Sequence, residues 1–138
     1  MPEVGQILHW TKYRFPEGNI NDKDFVVIND SSSSDELCLM LITTSQEKQY
    51  LGYKDGCNAR HFMFFIPKTW GECFPKPTFI KLPFLVAVPC IELWAKMEEG
   101  VIRAWKSRLS ADCMTSLKEC LKGFSDDIAS QYYPLIFG

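Results

Sequence analysis

Residues 23–30 read KDFVVIND and residues 36–45 read ELCLMLITTS, separated by four serines and an aspartate. The apolar runs 25–28 and 37–42 are rich in β-branched and aliphatic side chains and are bounded by turn formers. They therefore read as consecutive strands of a hairpin. Nearly every position in both runs is apolar, which predicts strands covered on both faces. In an antiparallel pair the start of one strand lies beside the end of the next. Lys23 stands just before the first strand, and Thr43, Thr44 and Ser45 close the second. A cation and a set of hydroxyls are thus expected to share one rim of the sheet, where a phosphodiester could be gripped.

Outward from this hairpin, residues 4–10 (VGQILHW) read as a preceding strand with Gly5 at its entrance. Residues 15–21 (FPEGNIN) carry loop chemistry and lead directly to Lys23. Residues 29–35 form the expected hairpin turn, and residues 46–58 are polar and punctuated by Gly52 and Gly56. Further strands are expected at 62–66, 78–82, 84–88 and 101–105, whereas 91–96 fits either a strand or a helical turn. The loop 68–77 carries Trp70, Gly71, Pro75 and Pro77. One helix is well signalled over about 111–123: Ser110 is a good N-cap, Asp112 suits the first turn and Gly123 suits the C-terminal cap. Met114, Leu117, Leu121 and Phe124 recur at three- and four-residue spacing and give it one apolar face. The expected architecture is a single domain over residues 1–138, mainly β, with strands over about 4–105. It is a small antiparallel β-barrel closed by a C-terminal α-helix.

The chain has 138 residues, 46% hydrophobic and 23% charged, which is ordinary globular composition. A formal net charge of −2 argues against a high-affinity duplex-DNA binder. Local basic groupings remain: Lys12, Arg14 and Lys23; Lys76 and Lys81; Arg103, Lys106 and Arg108. The opening Met-Pro-Glu is acidic and no apolar core follows, so no secretory signal is expected. The longest apolar stretch, residues 82–95, is broken by Pro83, Pro89 and Glu92 and falls short of the roughly 20 residues a spanning helix needs. The expected location is the cytoplasm, with no membrane partner. Six cysteines at 38, 57, 73, 90, 113 and 120 are accordingly expected to be mostly reduced, with Cys38 and Cys90 as small buried hydrophobes.

Cys57, His61 and Cys73 form the chain's nearest approach to a metal motif, but they lack a fourth ligand and the tight pairs of a zinc site. No metal or cofactor is expected. Cys57 with His61 also fits a thiol nucleophile and its base, on a turn that exposes the sulfur. The alternative is a turn cysteine with no catalytic role. Trp10 alternates with Leu8 and reads either as core or, with Tyr13, as a platform for splayed bases.

The order of these elements resembles the MazF/PemK family of toxin ribonucleases. The matching residues are Gly5-Gln6-Ile7, Lys23 to Ile28, Leu41-Ile42-Thr43-Thr44, and Arg108-Leu109-Ser110 followed by the helix that Ser110 caps. The match covers about four-fifths of the chain in order and pattern. Gln6 stands where the family has an acidic residue, Lys23 where it has an arginine, and Asp24 where it has a proline. The resemblance implies a metal-independent endoribonuclease that cuts single-stranded RNA as a homodimer and is restrained by a cognate antitoxin with an acidic tail. It gives Lys23 the cationic, acid/base role and Thr43 the phosphate-holding role. Lys12, Arg14, Thr44, Ser45 and Trp10 are then substrate-binding residues, with His9 in reserve on the neighbouring strand. Lysine neutralises a phosphate but lacks arginine's two-pronged grip, which leaves open a noncatalytic protein- or RNA-binding module of the same fold. A cysteine hydrolase using Cys57 is the third alternative.

Overall fold

In a computed structural model, residues 2–31, 36–45 and 52–138 are described. Seven strands form one antiparallel sheet: β1 (Gln6–Arg14), β2 (Ile20–Val27), β3 (Leu37–Thr44), β4 (Gly56–Asn58), β5 (Met63–Ile66), β6 (Thr78–Pro89) and β7 (Ile102–Arg108). Their order across the sheet is β4-β5-β6-β3-β2-β1-β7. Three α-helices accompany them: α1 (Cys90–Glu98), α2 (Ala111–Lys122) and α3 (Tyr133–Phe137). The mainly β class is as expected, with three α-helices in place of one among the described residues. The expected hairpin turn at 29–35 and the polar run 46–58 fall partly outside the described residues, at 32–35 and 46–51.

The decisive hairpin forms as expected, and its register places Phe25 opposite Ile42, Val26 opposite Leu41 and Val27 opposite Met40. Its apolar-at-every-position pattern has a direct cause. Successive side chains of a strand point to opposite faces, and both faces are covered. Val26, Leu39 and Leu41 join the core under α2, with Leu117 and Leu121. Phe25, Val27, Met40 and Ile42 join a second core with Leu93 of α1.

The two short strands expected at 78–82 and 84–88 are one strand, β6. Pro83 falls where the β3–β6 register shifts, between the Leu41–Leu85 and Thr43–Ile80 pairs, a place in a sheet where a missing N–H is tolerated. The ambiguous segment at 91–96 is helical, within α1. Ser110 caps α2 as its sequence implies, its hydroxyl accepting from the Cys113 N–H at 3.1 Å.

Gly5 has φ +88°, and an added Cβ would sit 3.1 Å from the Leu109 carbonyl oxygen and 3.2 Å from Met114 Cγ. A side chain there would be strained and would separate β1 from the segment leading into α2.

Four of the six cysteines are free thiols as expected, and two are not. Cys57 and Cys120 are joined in a disulfide, 63 positions apart in sequence, which ties edge strand β4 to α2. Cys38, Cys90 and Cys113 are buried free thiols, and Cys73 is a half-buried one. A sequence without local cysteine pairs hides this bond, because the partners meet only when α2 packs over the sheet.

Candidate active site at the end of the central hairpin

The rim where the first half of β2 meets the end of β3 encloses a pocket of about 260 Å³, and Lys23 lies within β2, which starts at Ile20, instead of just before it. Lys23, Thr43, Thr44 and Ser45 all line it, so the expected cation and hydroxyls do meet there. The pocket also holds His9, Asp22 and Asp24, and the loop after β5 contributes Phe74, Pro75 and Lys76. A larger hollow of about 860 Å³, bounded by Tyr13, Phe62, Phe84 and Tyr132, has a mostly aromatic and aliphatic lining.

Register decides how these groups can work together. His9 on β1 is paired with Asp24 on β2, and Trp10 is paired with Lys23. Counting back from the Phe25–Ile42 pair, Asp24 falls beside Thr43 and Lys23 beside Thr44. By strand alternation, His9, Asp24 and Thr43 share the α2 face of the sheet, whereas Trp10, Lys23 and Thr44 belong to the α1 face. Lys23 therefore contributes to the pocket wall from a strand position that faces away from Thr43.

On the α2 face the contacts are short. His9 Nδ1 lies 2.8 Å from Asp24 Oδ1, and His9 Nε2 lies 3.7 Å from Asp22 Oδ2. The imidazole is 32% exposed, which leaves it reachable from solvent. A carboxylate at Nδ1 favours the proton on that nitrogen and fixes the ring's orientation. Thr43 donates its hydroxyl hydrogen to the Asp24 carbonyl at 3.0 Å, so its oxygen faces the pocket as an acceptor. Asp22 is itself held: its carboxylate accepts from the Lys12 N–H at 2.8 Å. Lys12 sits at the β1 irregularity with φ +55°, and that bend aims its backbone N–H at Asp22. On the sheet's edge side, His9 is paired with Arg103 of β7.

The opposite wall is built by the loop 71–77 and β7. Phe74 packs edge-on to Trp105, with ring centroids 5.6 Å apart. Glu72 anchors the loop by accepting from both the N–H and the hydroxyl of Ser110, at 2.8 and 2.7 Å. Thr78 donates to the Lys76 carbonyl at 2.9 Å, which fixes the loop's far end and leaves the Lys76 side chain exposed.

Burial lowers the pKa of Lys23 below the ordinary lysine value. Lys81 lowers it further, and Asp24 partly opposes both. The amine is thus a readier proton donor than a solvated lysine.

No model of a known protein family matches the chain, and no curated protein does.

Three residues expected to bind substrate lie elsewhere. Trp10 belongs to the α1-side core, its ring 5.7 Å from that of Phe25 and with Lys96 Nζ 5.7 Å from its centroid. Lys12 and Arg14 are exposed but do not line the pocket. The nucleophile reading of Cys57 is overturned, since a sulfur in a disulfide has no thiolate to attack with. His61 instead packs edge-on to Tyr53, 4.8 Å between centroids. Trp105, Phe74 and Asp22 were not singled out from sequence. Alternation on β7 and the register of β1 with β2 were the signals that could have found Trp105 and Asp22.

Proposed function

We propose that the chain is a MazF/PemK-like endoribonuclease, its sheet curved into the small barrel of that family, with His9 and Asp24 as its proton-handling pair. The observation that carries this reading is the 2.8 Å His9–Asp24 contact inside a pocket shared with Thr43 and two lysines. Cleavage without metal needs a base for the 2′-hydroxyl, a donor for the 5′ oxygen and a cation beside the phosphorane. His9 accepts the 2′ proton while Asp24 steadies the imidazolium that forms. The 2′ oxygen then bonds to phosphorus and the bond to the 5′ oxygen breaks. Water supplies the proton that the departing oxygen takes up, and Lys23 and the exposed Lys76 offset charge on the phosphorane. The products are a 2′,3′-cyclic phosphate and a free 5′-hydroxyl. Trp105 and Phe74 give the wall an aromatic surface suited to an unpaired base.

In this reading the protein acts in the cytoplasm as a homodimer. The same trough accepts an extended acidic segment of an antitoxin, since that segment and single-stranded RNA are both flexible anions.

The test is incubation of purified protein with unstructured RNA in EDTA. Fragments ending in cyclic phosphate, lost in His9→Ala, support the proposal, and intact RNA sinks it. One observation favours a second reading. Asp22 and Asp24 place two carboxylates beside the pocket, and these repel a phosphate. A noncatalytic module of the same fold that binds protein would hold its partner there and leave RNA uncut.

A further inference from the structure

We infer that Cys73 and Cys113 form a second thiol–disulfide modification site, at which a low-molecular-weight disulfide would join the loop over the trough to the first turn of α2. Both side chains line one hollow of about 700 Å³, together with Glu72, Arg108, Ser110 and Asp112. A chain of short contacts holds them near each other. Glu72, next to Cys73 in sequence, bonds to the N–H and hydroxyl of Ser110, and the same hydroxyl accepts from the Cys113 N–H at 3.1 Å. Cys113 is also seven residues, about two turns, before Cys120. The two therefore sit on one side of α2, and Cys120 is already bonded to Cys57. The remaining thiols, Cys38 and Cys90, are sealed in the α1-side core at 0% exposure.

The half-buried Cys73 is the sulfur that an external disulfide reaches first. Its thiolate attacks the reagent, one reagent thiol departs, and a mixed disulfide remains. Cys113, having lost its proton, then attacks the Cys73 sulfur and expels the second reagent thiol. Two protein thiols are oxidised and one reagent disulfide is reduced to two thiols. Burial raises the Cys73 pKa and Glu72 adds to it, against a backbone hydrogen bond that lowers it. Burial pushes Cys113 up to about 12, with Glu72 and Cys73 contributing. Glu72 from the loop, Asp112 from α2 and Arg108 from β7 are the charged groups facing the pair. Cross-linking is therefore slow at neutral pH and quickens as pH rises. Once formed, the bond fixes Phe74, Pro75 and Lys76 against the trough. That consequence for RNA rests on the nuclease reading, but the bond itself does not.

The test treats the full chain, its Cys57–Cys120 bond intact, with oxidised glutathione at pH 7 and pH 9. The remaining thiols are then alkylated, and tryptic peptides are read by mass spectrometry without reduction. The expected result is peptide 69–81 joined to peptide 109–118, with more of it at the higher pH and two of the four free thiols consumed. Cys113→Ser should stop at glutathione on Cys73. The inference is overturned if wild type also stops at that adduct, or if the only new link joins Cys38 to Cys90.

Discussion

The two faces of the sheet are built from the same hairpin, yet among the described residues one ends in a polar pocket and the other in an aromatic and aliphatic hollow. On the α1 side, Phe25, Trp10 and Tyr13 pack ring against ring and Lys96 lies over Trp10, which makes that surface largely hydrocarbon. On the α2 side the packed core stops short, and His9, Asp24 and Thr43 occupy the strand positions beyond it, roofed by a loop that Glu72 ties down. One residue of offset along β2 separates these environments, because a strand's side chains alternate. Neighbours in sequence such as Lys23 and Asp24 thus reach one pocket from opposite faces of the sheet. Chemistry follows the face as much as the rim.

The sharpest way to break this contrast is to remove the imidazole. His9→Ala should lower RNA cleavage by about 10²–10⁴-fold, the usual contribution of a general base, as measured by fragment release in EDTA. A comparable free energy is expected from the tether that holds α2 over its face. Cys57→Ser opens a closure between positions 63 apart and should cost about 4 kcal/mol of stability, read by urea unfolding. Asp24→Asn keeps the shape of the site but loses a charged hydrogen bond worth about 1.5–3 kcal/mol. Cleavage should fall about 10–100-fold, with RNA binding little changed. Lys23→Ala tests the other face: one ammonium about 4 Å from a phosphate in water-like screening is worth about 1 kcal/mol, so roughly a fivefold loss that shrinks with added salt is expected.

Each face also carries a buried thiol pushed up to about 12, Cys38 on the α1 side and Cys113 on the α2 side. Unfolded cysteine ionises near 8.5, so the unfolded chain loses these protons at lower pH than the folded one. Stability from this source is whole below about pH 8.5 and declines as pH climbs toward 12. Alkaline unfolding measured on Cys38→Ala and Cys113→Ala should show a shallower decline for each.

Much of this was legible in the chain. Alternating burial on two faces is written into FVVI and LCLMLI, and the cap and spacing of α2 are written into the segment beginning at Ser110. The rim was legible too, since Lys23 and Thr43 to Ser45 do line one pocket. What stayed hidden depended on register and long-range packing. Pro83 read as a strand break because its bulge is a property of pairing with β3. The Cys57–Cys120 bond needed α2 to be in place. His9 was only a reserve, because its pairing with Asp24 follows from how β1 aligns with β2, across a 15-residue separation. The family resemblance directed attention to Lys23, where the usual arginine would stand, and away from the imidazole one strand over.

The central claim is that the His9 imidazole on the α2 face, and not the Lys23 ammonium, carries the proton chemistry. The most direct measurement compares the rate at which wild type, His9→Ala and Lys23→Ala generate 2′,3′-cyclic phosphate ends on unstructured RNA in EDTA. The expected result is cutting by wild type, near-complete loss in His9→Ala and a modest loss in Lys23→Ala. Equal rates for wild type and a folded His9→Ala, or no cutting by any of the three, would contradict the account.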